Sequence, residues 1–312
     1  MPYYPTGSMK PASGSFLLKS RFHGSLIRSI SLCIALAFAA PAIFPQSTAS
    51  PDSATPFAAA DTLNVVPIPS SFQLASGDFQ VRPNFTVGLT GYTEPRLDRA
   101  VARFLRNLSL ETGMTFTQTG VDPSNASLVI NTGGASKQVQ TFDEDESYSL
   151  DVTSANAKLS AANPLGILHG LQTLLQLVRI TPDGFALPAL HIADQPRFPW
   201  RGLMIDVSRH FMPLDVIERN LDGMEAVKLN VFHWHLSDNQ GFRVESKEFP
   251  LLTKLGSDGE FYTQEQVREV IAYARDRGIR VVPEFDMPGH STSWVVGYPG
   301  LASAPGPYQI ER

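Results

Sequence analysis

The chain has 312 residues, 43% hydrophobic, 10% aromatic and 18% charged, a composition that excludes disorder, collagen and coiled coil. Twenty-five Lys and Arg against 30 Asp and Glu give a formal charge of −5, which argues against nucleic acid as a partner, since no basic surface is available for phosphates. The single cysteine, Cys33, lies in an N-terminal apolar run, so the folded part carries no disulfide, no cysteine-ligated zinc and no cysteine nucleophile.

In chain order, Lys10, Lys19, Arg21 and Arg28 precede the apolar stretch Ile30 to Ala40, followed by Ala-x-Ala patterns at Ala37 to Ala39 and Ala40 to Ala42. This predicts a signal peptide, since the run is shorter than the roughly 20 residues that span a bilayer. Cys33 sits inside the run instead of at its end, which disfavours a lipoprotein. Gln46 to Pro56 is a Ser/Thr/Pro/Ala linker. Residues 1–50 are therefore expected to be signal and linker. The mature protein is expected to begin between Ile43 and Asp61 and to be periplasmic or secreted, meeting the membrane only through its export signal.

From 62 to 180 an α+β domain is expected. Leu97, Val101, Phe104, Leu105 and Leu108 recur at helical spacing, which predicts a helix over Pro95 to Glu111 with Gly113 just past its end. Strands are predicted at Ser127 to Asn131, Tyr148 to Val152 and Lys158 to Ala161. Asn163 as N-cap and Pro164 at the first position open a second helix carrying Leu168, Leu171, Leu174, Leu175 and Val178. The acidic run Asp143 to Glu146 reads as a solvated turn. The proline-rich stretch Thr181 to Pro199 reads as the crossing into the next unit.

From 197 to 312 the rhythm is strand, helix, strand, helix, strand. Gly202 to Val207, Leu229 to Leu236 and Arg280 to Phe285 are the strands. Leu214 to Val227 is one helix, and the other is opened by a Thr263/Gln266 capping box and ends at Gly278. This alternation predicts parallel strands with crossover helices, in a doubly wound sheet or a (β/α)8 barrel. No glycine-rich phosphate loop follows any of the three strands, so nucleotide binding loses ground.

In either architecture the active site lies at the carboxyl ends of the strands. There the chain reads Asp206-Val207-Ser208-Arg209-His210, His233-Trp234-His235-Leu236-Ser237-Asp238 and Glu284-Phe285-Asp286-Met287-Pro288-Gly289-His290. Three successive ends rich in Asp, His and Arg are hard to explain by packing. His233 and His235 share one face of a strand, a spacing that allows a two-histidine metal site as well as hydrogen-bonded barrel histidines. Asp238 and His290 suit a carboxylate–imidazole pair supporting an acid or base, or else a surface Asp and a loop-capping His. Arg201 suits a clamp on substrate oxygens or a salt bridge with Asp206. Asp286 suits a functional carboxylate or a turn organiser. Trp234 and Trp294 suit sugar stacking or burial.

The three segments Trp200 to Phe211, Lys228 to Asp238 and Pro283 to His290, in this order, resemble the family 20 glycoside hydrolases, the β-N-acetylhexosaminidases. The preceding segment, with Asn64 to Pro69 and the Gly166 to Leu177 helix, is similar to that family's N-terminal domain, so the resemblance covers about Leu63 to Arg312. It implies a (β/α)8 TIM barrel behind a smaller α+β domain, and an exo-acting enzyme that removes terminal β-linked N-acetylglucosamine or N-acetylgalactosamine from oligosaccharides or glycoconjugates. It implies that Arg201 binds sugar hydroxyls and that Asp238 and His290 form a relay behind the acid glutamate. The implied mechanism is substrate-assisted and retaining, with no metal or organic cofactor. The substrate's acetamido oxygen attacks the anomeric carbon, an aspartate orients the acetamido group, and the adjacent glutamate protonates the leaving oxygen and then activates water.

That Asp-Glu pair belongs to the family's fourth strand. The chain's only Asp-Glu steps, Asp143-Glu144 and Asp145-Glu146, lie in the first domain. From Arg201 onward it supplies three strands, whereas a complete barrel takes about 250 residues. The expectation is an incomplete barrel, truncated before the catalytic pair, inactive by itself and prone to aggregate. Two alternatives stand beside it: a non-catalytic carbohydrate-binding relic, and a metal-dependent barrel hydrolase using His233 and His235.

Overall fold

In the computed structural model, which describes residues 63–116 and 120–312, two sheets form in sequence. The first is built from β1 (Ser71–Gln80), β2 (Val87–Gly91), β3 (Leu128–Thr132), β4 (Tyr148–Val152), β5 (Ala157–Ala161), β6 (Arg179–Thr181) and β7 (Gly184–Asp194). Its order is β1-β7-β4-β5-β3-β2, with β6 paired to β7. The β2, β3 and β5 strands run parallel, and the β5-β4-β7-β1 side is antiparallel. Two helices, α1 (Pro95–Thr112) and α2 (Pro164–Leu177), accompany this sheet. The expected export segment and linker lie outside the described residues.

Both helices are punctuated as their sequences predict. Pro95 sits in the first turn of α1, and Gly113 closes it in the left-handed conformation (φ 71°), where its N–H donates to the Ser109 carbonyl. The Asn163 side chain caps α2 by accepting from Leu165 N–H. Nearly all of α2 is buried, because one side packs on β4 and β5 and another meets the following unit. Gly166 makes that approach possible: a Cβ there would stand 2.1 Å from the Ser147 carbonyl oxygen.

Gly184–Asp194, expected to be part of a crossing, is instead an eleven-residue strand in the first sheet. The α+β unit therefore runs past the expected boundary at 180 to Asp194. Pro188 masks the strand in the sequence, since proline removes a ladder donor. In the sheet it stands where the β1 register shifts between Leu74 and Asp78, at a bulge carrying Gly77 (φ 96°).

The second sheet holds β8 (Gly202–Asp206), β9 (Val231–Asp238), β10 (Gly241–Phe242) and β11 (Arg280–Phe285). The β8, β9 and β11 strands are parallel with β9 in the middle, and β10 folds back antiparallel on β9. The crossovers carry α3 (Leu214–Ala226), then α4 (Leu251–Gly256) and α5 (Gln264–Asp276), and α6 (Thr292–Gly297) follows β11. The capping box of α5 is formed by Thr263 and Gln266. Ile217, Leu221 and Met224 of α3 and Val270 and Ala274 of α5 are buried with Phe232, Trp234 and Leu236 of β9. Trp234 is fully buried, with ring centroids 5.6 Å from Phe232 and 4.7 Å from Tyr262. The described residues from Leu63 to Arg312 belong to one compact unit, in which Arg103 of α1 pairs with Glu225 of α3 at 2.9 Å and Arg99 binds Asp276 through two nitrogens. Among the described residues, no helix is long and apolar enough to cross a membrane.

Candidate active site

The carboxyl ends of β8, β9 and β11 converge on Asp238, the last residue of β9 and fully buried. Its Oδ1 accepts the Asn239 N–H at 2.7 Å and lies 3.2 Å from His290 Nδ1. Its Oδ2 meets His235 Nε2 at 3.1 Å and Arg209 Nη2 at 2.5 Å. A carboxylate is tolerated without water only when paired and hydrogen-bonded in this way. His290 closes the turn after β11 in the left-handed conformation (φ 53°), and its side chain is half exposed. Once Nδ1 faces Asp238, Nε2 remains for whatever enters the site.

Arg209 is brought to Asp238 by a local device. Asp206, at the end of β8, accepts the N–H groups of Ser208 (2.9 Å) and Arg209 (3.0 Å) on Oδ1, which turns the chain back over the strand ends. Its Oδ2 then takes Arg209 Nη1 at 2.5 Å. Burial favours the neutral acid, but the hydrogen bonds from Arg209 outweigh it and hold the Asp206 carboxyl below its usual range. A half-exposed guanidinium with two carboxylates behind it presents fixed donors to an oxygen-rich ligand.

His233 and His235 do lie on one face and converge on one atom: Glu284 Oε2 is 2.5 Å from His233 Nε2 and 3.2 Å from His235 Nδ1. Both His235 nitrogens therefore face carboxylates, Glu284 on one side and Asp238 on the other. His235 is hydrogen-bonded to Asp238, and both rings lie against the Glu284 carboxylate. Asp286 approaches the same group, within 4.8 Å of His235 and Glu284. Trp234 is sealed in the core and has no face to offer a sugar. Trp294 is edge-on to Phe242 at 5.1 Å, with Nε1 3.3 Å from Ser237 Oγ.

Arg201 is not at this site. It precedes β8, at the opposite end of the strand from Asp206, and its donors are consumed there: Nε by the Lys228 carbonyl (2.8 Å), Nη1 by the Phe198 carbonyl (2.7 Å) and Nη2 by the Glu146 carboxylate. The sugar-binding role expected for Arg201 is therefore corrected, and Arg209 is the guanidinium at the strand ends. The expectation for Glu146 is corrected too. Far from a solvated turn residue, it is buried and accepts from Asn230 Nδ2 (2.8 Å) and Arg201, with His169 Nε2 at 2.9 Å. Burial opposes the charge, but His169 and Arg201 outweigh it and pull the Glu146 carboxyl down to about 2.

Sequence reasoning passed over Arg209, Glu146 and the role of Glu284. The signal for Arg209 was present, since it follows the carboxyl end of its strand whereas Arg201 precedes the amino end. Glu284 occupies the matching strand end after Pro283. For Glu146 no local signal exists.

Comparison with known proteins agrees with this division of the chain. The family model for glycosyl hydrolase family 20, domain 2, matches residues 62–195, and that for the family 20 catalytic domain matches 198–311. A β-hexosaminidase of Vibrio furnissii is 34% identical over 278 residues, covering 82% of this chain and 43% of its own length. The Flavobacterium johnsoniae chitobiase structure superposes with a TM-score of 0.76 at 46% identity, over 80% of this chain and 38% of that one. An exo-β-N-acetylglucosaminidase of Vibrio harveyi, solved in complex with N-acetylglucosamine, gives a TM-score of 0.64 at 28% identity over 76% of this chain and 38% of its own. The chain thus spans about two fifths of the length of these relatives.

Proposed function

Because the chain belongs to glycosyl hydrolase family 20, we propose that it supplies the α+β domain and the first three strands of a (β/α)8 barrel to an exo-acting β-N-acetylhexosaminidase. The substrate is a glycan or glycoconjugate ending in N-acetylglucosamine or N-acetylgalactosamine. The observation that carries this reading is the buried Asp238 carboxylate, held between the His290 imidazole and the Arg209 guanidinium at the ends of three parallel strands.

In the proposed reaction the substrate's acetamido oxygen displaces the leaving group, while an acid glutamate from a later strand protonates the departing oxygen. The residues of this chain hold the parts in place. Arg209, braced by Asp206, binds hydroxyls of the terminal sugar. Asp238 fixes the Nδ1–H tautomer of His290, whose Nε2 supports the acid glutamate. No cofactor takes part. The N-terminal 50 residues export the protein, and mass spectrometry of the mature N-terminus checks that step: a new terminus between Ile43 and Asp61 is expected.

The test compares the longest product of the gene with this 312-residue chain on an aryl β-N-acetylglucosaminide. The long form should turn over. Asp238→Asn should slow it by about 10²-fold or more, the range for losing a proton-transfer partner. The 312 residues alone should show no turnover, because their barrel part contains no Asp-Glu step. Turnover by the short chain, or an active D238N long form, would refute the assignment. Saturable sugar binding by the short chain without turnover is the signature of the carbohydrate-binding reading.

A further inference from the structure

His235 links the two carboxylates of the site that lie on neighbouring strands. It is buried, with Nε2 3.1 Å from Asp238 Oδ2 and Nδ1 3.2 Å from Glu284 Oε2. A neutral imidazole has one N–H donor and one bare lone pair, whereas an ionised carboxylate offers only acceptors. A neutral ring at this position would set a lone pair against a carboxylate oxygen at one end. An imidazolium donates at both ends, and hydrogen bonds to charged partners are the strong ones.

We propose that His235 is a standing imidazolium, shared between Glu284 and Asp238, and that it is a positioning residue which keeps the Asp238 carboxylate turned toward His290. The groups around it favour that charge. Asp206 comes from β8, Asp238 from its own strand, and Glu284 and Asp286 from β11, so four carboxylates are set against the Arg209 guanidinium and the His233 ring. Burial works against the charged ring, but Glu284, Asp206 and Asp238 outweigh it and raise the His235 pKa above its ordinary value. With Oδ2 of Asp238 occupied by Arg209 and His235, Oδ1 is the oxygen left for His290 and the Asn239 N–H. The protonation state stands on its own geometry, and the positioning role rests on the glycosidase reading above.

Imidazole nitrogen NMR of the histidine-labelled chain tests the first part without substrate or turnover. Both His235 nitrogens should carry protons, unchanged, between about pH 5 and pH 8. In Glu284→Gln the ring should begin to lose a proton within that interval. His235→Gln assigns the signals by their loss. Should that variant not fold, H233Q removes the other ring that touches Glu284 and leaves His235 as the one to respond. A bare nitrogen on His235 at neutral pH, or an E284Q spectrum identical to wild type, overturns the proposal. In the longest gene product, H235Q should lower kcat about tenfold or more with KM little changed and displace the pH profile. An unmoved profile overturns the positioning role alone. If no form of the protein turns over, the glycosidase reading fails and the NMR result still decides the charge.

Discussion

Arg201 and Arg209 stand at opposite ends of one strand and have opposite consequences when removed. Arg201 is nearly buried, and its loss strands the Glu146 carboxylate among groups arranged to pair with it. Breaking one side of a buried pair costs about 3–5 kcal/mol. Arg201→Ala should therefore lower stability by that order in a urea titration. Arg209 is half exposed, and without it the buried Asp238 still has His235, His290 and the Asn239 N–H as partners. Arg209→Ala should therefore cost less stability than Arg201→Ala while weakening the sugar binding proposed above for the longest gene product, which calorimetry with N-acetylglucosamine would register. Glu146 adds a pH dependence whose sign is fixed. Its carboxyl is held at about 2 in the folded chain against an ordinary 4.5, so its contribution is present above pH 4.5 and is lost as pH falls from there toward 2. The fall is worth about 3 kcal/mol by linkage. Glu146→Gln should be less stable at neutral pH, with a flatter acid limb in denaturation measured against pH. These roles were unevenly legible. Asp238 and His290 are named by their places at strand ends. Glu146 is not, because His169, Arg201 and Asn230 lie 23, 55 and 84 positions away and only the folded chain brings them together.

Among the elements, the ones marked by backbone chemistry were readable. Pro95 and Gly113 bracket α1, Asn163-Pro164 opens α2, and Thr263 with Gln266 opens α5, because each residue type answers a specific unsatisfied group at a helix end. The β7 strand was not readable, since its proline is acceptable only opposite a bulge on a strand more than a hundred residues earlier. The packing of α2 supplies a sharper test. At Gly166 an added methyl meets the Ser147 backbone, which cannot swing aside, whereas at Gly170 it meets the Leu159 side-chain end, which can. Gly166→Ala should cost about 1–3 kcal/mol or more in thermal or urea unfolding, and Gly170→Ala distinctly less.

For the whole molecule, three parallel strands leave β8 and β11 each paired on one side only among the described residues. Met204 of β8 and Phe285 of β11 are also exposed. Open edges with apolar neighbours template further pairing. The 312-residue chain should self-associate through them, visible as concentration-dependent mass in light scattering, and a monodisperse monomer at high concentration would count against this. The first unit also has edge strands, β1 and β2, each paired on one side only among the described residues, but α1 and α2 complete its core. Its anchoring through Glu146 sets Arg201 and Asn230, the residues entering β8 and β9, at the ends remote from the chemistry. The burial of Trp234 has an optical consequence. All three tryptophans, Trp200, Trp234 and Trp294, lie after the first unit. Selective indole excitation therefore watches the second unit and, through Trp200 packed 5.0 Å from the Phe142 ring, its contact with the first, while far-ultraviolet dichroism watches both units throughout. If the buried Glu146 cluster makes the two units one cooperative body, the two signals will trace the same transition. If they part, the separation between the curves measures how weakly the halves are joined.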